Sequence, residues 1–344
     1  MTFQPLKVEL IVEAYLRGMR VDRFLMKHFR NYSAWRMQRM IQAGCARLDG
    51  RVLELDERLY FGQRIEFHLI EPPDKLLPPE AIELEVLFED PWLMVVNKPA
   101  GMICHPTGDF QAGSLCNAVQ AHLDRQTPFP GMLRPGIVHR LDRQTSGAIA
   151  VPKEHLSHRR VSIEFQRERV SKSYLALVEG VIPRDEFTID LPIGQARGDT
   201  ILMSAKAGAI DARPSKTRIR VLKRFERQTF VEARPYTGRN HQIRVHLAEA
   251  GFPIVADEYY EAGGRLKPKR PDLPEDWQPE DDVFPNAVDP ETGLTRHFLH
   301  AYRLAFAHPM TEQWMEFRAP LTSDLRAALY RLGKIVKSNS FNHH

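Results

Sequence analysis

Cysteine and long apolar segments are both scarce in this sequence of 344 residues. Only three cysteines are present, Cys45, Cys104 and Cys116, and no two of them form a C-x-x-C pair. Such sparse cysteines argue against a disulfide framework or a zinc ribbon and suit a reducing cytoplasm. No run approaches the roughly 18 apolar residues of a membrane span, and residues 1–5 do not begin a secretory signal. The sequence therefore predicts a cytoplasmic protein with no membrane partner.

The 14 histidines are not spaced like metal ligands. His155 and His158 are three residues apart, and His241 and His246 are five apart. Neither pair forms an H-E-x-x-H arrangement or has a cysteine nearby. We therefore expect no metal site.

The net charge is weakly positive, +4 from 48 basic and 44 acidic side chains. Basic residues concentrate in 17–64, 134–172 and 213–244, whereas 71–90 and 275–291 are acidic. Basic faces joined by acidic segments fit an RNA partner, but solvated surfaces of other proteins share this pattern. Charge alone leaves the partner open.

A proline-rich segment separates the first 72 residues from the rest. Residues 71–80 hold four prolines, which predicts an extended linker that we assign to 73–83. Before it, apolar spacing predicts two short helices, the second capped by Ser33 and ended by Gly44. A hairpin around Asp49-Gly50 and a further strand follow.

The second of these helices carries the basic side chains of interest. Its apolar residues recur near helical spacing and are expected on the buried face, while Arg36 and Arg39 are free to face outward; the apolar residues are Trp35, Met37, Met40 and Ile41. Two helices, a glycine, a hairpin and a strand over about 18–70 resemble the S4 RNA-binding module. The resemblance implies that 1–72 is an RNA-binding domain and that Arg36 and Arg39 contact RNA. A small α+β cap on the main domain is the alternative.

From Leu84 onward, predicted strands alternate with helices. Several strands are joined too briefly for parallel crossovers, which favours a mixed, largely antiparallel sheet with flanking helices. The fold class is therefore α+β, with a main domain over 84–335. The predicted elements are strands at 93–97, 137–138, 148–151, 174–180 and two within 216–234, and a helix at 154–168.

Two segments at the carboxyl end stand apart from this pattern. Residues 261–296 hold six prolines and many acids, which predicts a mobile surface insertion in the main domain. Residues 336–344 are expected to form a flexible tail.

The first polar segment that could carry chemistry lies between two apolar strands. Residues 136–147 place Asp142 between Arg140 and Arg143, with a histidine and two hydroxyl groups close by. The Thr-Ser-Gly turn holds these polar groups at a strand end, a common place for a site. A plain surface ion pair around Asp142 is the alternative.

The second polar segment, 234–247, predicts a helix that begins at Thr237 and ends before Gly251. His241 and Arg244 then lie on neighbouring faces. A helix start with Arg239 and free backbone N–H groups suits a phosphate. An amphipathic helix with solvated basic residues fits the spacing equally well.

Together these segments resemble the RluA-type pseudouridine synthases. The resemblance extends in the family's order from about 84 to 325, which implies the pseudouridine synthase fold. It is carried by H-R-L-D-x-x-T-S-G at 139–147, T-G-R-x-H-Q-I-R-V-H at 237–246, Asn97–Gly101 with His105-Pro106, Lys172–Tyr174, Pro253–Asp257, and Leu299–Ala301 with Phe306–Pro309.

The family resemblance also implies roles for single residues. Asp142 matches the nucleophile, and Arg244 matches the arginine that pairs with it. Tyr174 matches the aromatic side chain that stacks on the uracil. Arg140 matches the residue that fills the gap left by the extruded base, since base flipping costs a few kcal/mol.

The remaining implied contacts are with RNA. Lys172, Lys98, Arg239 and His241 are expected to bind it, with Arg239 on a phosphate. The resemblance implies no metal and no small-molecule cofactor, and a monomer is the default assembly.

Several alternatives remain open from the sequence. A catalytically silent RNA-binding protein is one, although it should have lost Asp142, Tyr174 or Arg244. A glycosidase needs a second carboxylate beside the first, which the 139–147 segment does not supply. For the target, the S4-like domain favours large-subunit ribosomal RNA over transfer RNA.

Overall fold

The computed structural model describes residues 6–74, 76–106, 112–127, 129–198, 202–267 and 288–339. The chain divides into two compact units. The first comprises Met1–Glu83, His105–Ile137 and Pro152–Arg159, and the second comprises Leu84–Cys104, Val138–Val151 and Arg160–His344. This division differs from the predicted domains at 105–137 and 152–159, which we expected in the main domain.

The first unit joins a small antiparallel sheet to three helices. Its four strands are hydrogen-bonded in the order β1-β4-β2-β3. Its elements are β1 (Leu6–Ile11), α1 (Val21–His28), α2 (Ala34–Gln42), β2 (Ala46–Leu48), β3 (Arg51–Val52), β4 (Arg64–Leu69) and α3 (Leu115–Asp124).

Local sequence signals explain α2 and the hairpin after it. The Ser33 hydroxyl accepts the Arg36 backbone N–H and so caps α2 as predicted. Gly44 takes a positive φ of 80° just beyond the helix, a conformation that glycine adopts without strain. The expected place of Trp35 was wrong, because its side chain is 64% exposed. The other three apolar residues of the helix, Met37, Met40 and Ile41, are buried as expected.

The segment predicted as a free linker is anchored within the first unit. Asp74 accepts both the backbone N–H and the hydroxyl of Ser33. Further along, the Glu80 carboxylate accepts the Gly113 N–H at 2.9 Å. The described residues of this segment, 71–74 and 76–80, contain no helix or strand, as expected, but side-chain contacts hold them against the domain.

The second unit is built on a nine-stranded sheet. Its main path is β5-β6-β7-β17-β8-β14-β13-β9, and β18 pairs with β17. The sheet strands are β5 (Glu85–Glu89), β6 (Leu93–Lys98), β7 (Ser146–Pro152), β8 (Ser171–Glu179), β9 (Glu186–Asp190), β13 (Lys216–Arg224), β14 (Gln228–Pro235), β17 (Leu299–Ala307) and β18 (Trp314–Arg318). The smaller strands are β10 (Ile193–Gln195), β11 (Met203–Ser204), β12 (Ile210–Arg213), β15 (Tyr260–Glu261) and β16 (Arg265–Leu266).

Besides the elements above, the described residues form a short 3-10 helix at Ala14–Leu16 and three further α-helices. The α-helices are α4 (His155–Gln166), which begins in the first unit and ends in the second, α5 (Gln242–Glu249) and α6 (Ser323–Asn339). The β7–β17 pair is parallel, whereas the ladders that join β17, β8, β14, β13 and β9 are antiparallel. The predicted α+β class with a mixed, largely antiparallel sheet is confirmed.

The core of the second unit fixes α5 against the sheet. Ile243 and Leu247 of α5 pack with Ala176 and Val178 of β8 and with Val231 of β14. Full burial of such a side chain contributes roughly 1.5–3 kcal/mol. The polar side chains of α5 are therefore held at fixed places beside the sheet.

Three predicted boundaries need correction. Residues 137–138 are not a strand, because the His139 ring accepts the Ala150 N–H at 3.0 Å in place of a backbone partner. The tail expected from 336 is helical to Asn339, and 340–344 lie outside the described residues. Within the predicted insertion, 268–287 also lie outside them, but Leu294 is buried in the core.

The length of the described helices and the burial of the cysteines bear on the predictions made from composition. Within the described part of the chain, no helix has the length and apolar character needed to cross a membrane. Cys45, Cys104 and Cys116 are all buried, and none of them is joined to another in a disulfide bond.

Candidate active site

The loop that carries Asp142 is pinned to the sheet on several sides. The Lys98 ammonium donates to the Arg143 carbonyl at 3.1 Å, and the Gly101 N–H donates to the same carbonyl at 2.9 Å. The Thr145 N–H donates to the Asp142 carbonyl at 3.0 Å and closes a turn. A polar loop held in this way presents its carboxylate from a fixed backbone.

Gly147 explains how the loop comes so close to β17. It pairs with Ala301 in the parallel β7–β17 ladder and has a φ of 123°. A Cβ at this position would lie 2.4 Å from the Ala301 carbonyl oxygen. Only glycine fits, and the approach lets Ser146 bond to the buried His300 at 2.9 Å.

Arg244 of α5 lies at the centre of a buried charge cluster. Its Nε and Nη2 contact the two oxygens of Asp257 at 2.7 and 2.8 Å, and Nη2 also contacts Glu258 at 2.8 Å. Its Nη1 faces Asp142 Oδ2 at 3.4 Å. Arg244 is 1% exposed, so one guanidinium is shared by three carboxylates away from solvent. The predicted pairing of Asp142 with Arg244 is present in this geometry.

His297 links this cluster to the Asp142 loop. Its Nδ1 lies 3.2 Å from Glu258 Oε2, and its Nε2 lies 2.8 Å from the Thr145 hydroxyl. The ring is fully buried. The carboxylates that orient Arg244 and the turn that carries Asp142 are therefore joined by hydrogen bonds.

The charges around Asp142 favour its ionised form. Burial by itself raises the pKa of this carboxyl, but His241, Arg244 and His297 outweigh it and hold the pKa below the ordinary value. Burial also lowers the pKa of His241 to about 4, so this ring is neutral at pH 7. Arg244 is therefore the steady source of positive charge beside Asp142.

Asp142 opens into a cavity of about 430 Å³ within the second unit. This volume lies in the usual range for small-ligand pockets. Tyr174 of β8 and Leu141 line it with Asp142, while Arg140 and Lys172 also border it. An aromatic ring and a carboxylate in one concave site suit a flat, polar ligand such as a nucleobase.

Burial keeps Tyr174 protonated. It raises the pKa of the phenol above its ordinary value, and the Asp142 charge adds to this effect. The ring can therefore stack and donate a hydrogen bond at neutral pH.

The predicted RNA contacts on the second unit differ in their surroundings. Arg140 is exposed at the cavity edge. Lys172 Nζ donates to the Thr237 carbonyl at 3.1 Å, and Arg239 donates to the Pro214 carbonyl at 3.3 Å. His241 Nε2 lies 4.0 Å from Asp142 Oδ2, and its Nδ1 is 2.8 Å from the Tyr260 hydroxyl. All four line or border the cavity.

Lys98 was wrongly expected to contact RNA. Its side chain is fully buried, and its ammonium donates to the carbonyls of Pro99, Met102 and Arg143 at 2.8, 2.8 and 3.1 Å. Burial lowers its pKa to about 8. Lys98 supports the Asp142 loop from behind.

The predicted helix start at Thr237 was also wrong. The helix begins at Gln242, with His241 before it at a φ of 50° and no side-chain cap. Both the Thr237 hydroxyl and the Arg239 N–H donate to the Gln242 side chain, at 2.7 and 3.0 Å. We had expected a free backbone N–H near Arg239 to bind a phosphate, but the Arg239 N–H already donates to the Gln242 side chain.

Arg36 and Arg39 lie in the first unit. We had expected both side chains to be free, but both are paired with acidic residues. The Arg39 guanidinium pairs with Glu71 through both oxygens. Arg36 donates to the Pro72 carbonyl, and its Nε is 3.7 Å from Glu71 and 3.4 Å from Asp74. The anchored segment after β4 thus neutralises the basic face of α2.

Sequence reasoning missed Asp257, Glu258 and His297. Asp257 is the last residue of the motif Pro253–Asp257, and Glu258 follows it directly. Both acids were therefore visible in the sequence, but neither had a predicted partner. Nothing in the local sequence marks His297, because its partners are distant along the chain. Within the described residues, no three His, Cys, Asp or Glu side chains form a group that could hold a metal ion.

The sequence is similar to those of known RNA pseudouridine synthases. The profile of RNA pseudouridylate synthases matches residues 92–249. An uncharacterized RNA pseudouridine synthase of Chloroflexus aurantiacus is 37% identical over 91% of this chain and 90% of its own length. The ribosomal large subunit pseudouridine synthase D of Nitrosomonas europaea is 32% identical over 96% of this chain and 90% of its own.

A solved structure is similar in fold. The human RNA pseudouridylate synthase domain containing 4 has a TM-score of 0.54 and 24% identity. The match covers 72% of this chain and 93% of the human one.

Proposed function

This chain belongs to the RNA pseudouridylate synthase family and is an enzyme of that class, and from that premise we propose that it modifies large-subunit ribosomal RNA with Asp142 as its nucleophile. The observation that carries the proposal is the Asp142 carboxylate, 3.4 Å from Arg244 in the cavity that Tyr174 lines. A carboxylate kept ionised beside a nucleobase-sized space suits this reaction.

The reaction requires little beyond a carboxylate and a closed space. The N1–C1′ bond of uridine breaks, the uracil turns, and C5 bonds to C1′. The C5 proton leaves and N1 gains a proton, so no oxidant or reductant is consumed. A carboxylate can attack as a nucleophile, or stabilise a positive sugar centre, and then leave. Arg244 keeps Asp142 ionised for either task.

Tyr174 is proposed to stack on the flipped uracil. Its ring lines the cavity, and its raised pKa keeps the hydroxyl protonated. This supports stacking and hydrogen-bond donation as its main contribution. Removal of the C5 proton by Tyr174 would require its phenol to transfer a proton to another group first.

The exposed rim of the cavity supports the proposed RNA contacts. Arg140 can fill the space left by the flipped base, because it is exposed at the entrance. Lys172, Arg239 and His241 are proposed to contact the flipped nucleotide and its flanking phosphates. Lys and Arg pair favourably with phosphate oxygens.

Large-subunit ribosomal RNA is the favoured target for two reasons. The Nitrosomonas europaea relative carries that substrate in its name. The first unit is also proposed to be an S4-like RNA-binding domain, and its fold of two helices followed by a hairpin and a strand supports that proposal. We place the reaction in the cytoplasm, as expected from the sparse cysteines.

Asp142→Asn tests the catalytic assignment. The amide keeps the shape of the side chain but removes its charge and nucleophilicity, so we expect pseudouridine formation to be lost and RNA binding to survive. Release of tritium from RNA labelled at uridine C5 measures turnover directly. Asp190→Asn is the matched control, since Asp190 is an exposed acid paired with Lys216 at 2.9 Å and away from the cavity. Wild-type turnover by Asp142→Asn would refute the assignment.

A second arm of the experiment tests the target. Transcripts of large-subunit ribosomal RNA and of transfer RNAs are incubated with the wild-type protein, and pseudouridines are mapped in each. Modification of the ribosomal transcript supports the proposal. Modification confined to transfer RNA would overturn the target and keep the enzyme class.

A further inference from the structure

A second concave surface of about 600 Å³ lies within the first unit. We call it the α1 groove and define it by Arg20, Arg23, Lys27, Arg30, Arg58 and His155. Arg23 and Lys27 stand one turn apart on α1, with Arg20 at its start and Arg30 just past its end. Spacings of three and four residues place these side chains along one face.

The charge of the α1 groove is largely uncompensated. Arg23, Lys27 and Arg30 are exposed, and across the described ranges none of them, nor Arg58, forms an ion pair with a carboxylate. Among the described residues, the one acid that pairs with a groove arginine is Asp22, whose carboxylate lies 2.9 Å from the Arg20 guanidinium. Four positive side chains therefore face one concavity without an internal counter-charge, which raises the local concentration of anions.

One hydrogen bond holds a groove side chain in place. Arg58 donates to the Gly18 carbonyl at 2.7 Å, which orients its guanidinium while leaving its charge intact. Partial desolvation, and then the neighbouring positive charge of Arg134, lower the pKa of the exposed Arg30 guanidinium. A bound anion would relieve the repulsion between these two like charges.

The contrast with α2 is informative. Arg36 and Arg39, the basic pair that the sequence brings forward, are neutralised by Glu71 and Asp74. The two helices are adjacent in the chain, yet only the α1 face keeps its positive charge. Of these two helix faces, the α1 face is therefore the one with positive charge available to an anion.

We propose that the α1 groove binds the phosphate backbone of the RNA substrate. This inference rests on the proposed function for the identity of the polyanion. From Arg23 to Arg30 the basic residues cover roughly 10 Å of helix axis, enough to meet successive phosphates of one strand. The apolar lining consists of Met19 and Met26, and the described lining lacks the aromatic anchors typical of protein interfaces.

The double variant Arg23→Gln/Lys27→Gln in the full chain tests the proposal. The dissociation constant for a large-subunit RNA transcript is measured from about 50 to 300 mM salt, and the slope of log affinity against log salt is compared. Each lost phosphate contact lowers the slope by roughly 0.7–0.9, so we expect a drop of about 1.4–1.8 with weaker binding at every salt concentration. Circular dichroism melts confirm that the variant folds.

Lys7→Gln/Arg64→Gln is the matched control. It removes the same net charge from the same unit, but Lys7 pairs with Glu66 at 2.7 Å and Arg64 with Glu9 at 3.6 Å, outside the groove. A control slope close to that of the wild type supports a local site. An equal drop in both variants, or no drop in the groove variant, would overturn the proposal.

Two further outcomes are decisive. If wild-type protein binds poly-glutamate as tightly as RNA, and only the groove variant loses this binding, the surface serves an acidic protein and the proposal fails. The slope is a binding measurement, so it tests the groove whether or not turnover is seen. Absence of pseudouridine formation by the wild-type protein would refute the proposed function separately.

Discussion

Arg244→Met should destabilise the second unit strongly. Arg244 is 1% exposed and shares its guanidinium among Asp142, Asp257 and Glu258. Methionine fills similar space but leaves Asp257 and Glu258, which are 1% and 8% exposed, without their counter-charge. Breaking a buried ion pair by removing one partner costs about 3–5 kcal/mol. Whole proteins are stable by roughly 5–15 kcal/mol, so the loss should be large.

The loss should depend on pH in a defined direction. In the wild-type protein Arg244 and His297 outweigh burial and hold the Glu258 pKa well below its ordinary 4.5. A lowered pKa gives stability that is present above pH 4.5 and is lost as the pH falls below it. Without Arg244, only His297 still opposes burial, so we expect the Glu258 pKa to rise above its ordinary value. The variant should therefore approach the wild type in stability as the pH falls from 8 to 5.

Urea unfolding followed by circular dichroism measures both effects. The decisive comparison is Arg244→Met/Asp257→Asn/Glu258→Gln, which removes the stranded charges but keeps acceptors for the Tyr259 N–H and for His297. We expect it to regain more than half of the lost free energy of unfolding without regaining turnover. A triple variant no more stable than Arg244→Met would refute the reasoning, because packing rather than stranded charge would then explain the loss.

Two further substitutions test the support of the Asp142 loop. Gly147→Ala should lower the free energy of unfolding by about 1–3 kcal/mol, because the added Cβ would lie 2.4 Å from the Ala301 carbonyl oxygen. A melting temperature equal to that of the wild type would contradict the close approach. Lys98→Met should cost about 1.5–3 kcal/mol and most turnover, because three carbonyls lose a charged donor that is itself fully buried. Wild-type tritium release by Lys98→Met would show that the loop does not depend on this ammonium.

The fold was predictable where the signal was local. Ser33, Gly44 and the Asp49-Gly50 turn mark their elements through capping and positive φ, which do not depend on distant residues. The strand at 137–138 failed because a side chain, that of His139, took the place of a backbone partner. Trp35 failed because apolar spacing cannot tell a buried face from an exposed ring.

The site was predictable in part, for the same physical reason. The family motifs include Asp142, Tyr174 and Arg244, and all three side chains line one cavity in the structure. Glu258 and His297 were not predicted, because they contact each other only in the folded chain. Their side chains are hydrogen-bonded although the two residues are 39 positions apart in the sequence. Lys98 failed because the family resemblance implied an RNA contact without showing the three carbonyl partners that allow its side chain to be buried.

The division of Arg244 among three acids suggests why the site needs more than one carboxylate. Its shortest contacts, 2.7 and 2.8 Å, go to Asp257 and Glu258, while Asp142 lies farther away at 3.4 Å. Two non-reacting acids thus fix the guanidinium, and the remaining Nη1 supplies positive charge to the third. A tight bidentate pair would occupy the oxygens of Asp142, since such pairs engage both acceptors. The looser contact keeps Asp142 ionised while leaving its oxygens available, which is what the proposed nucleophile requires.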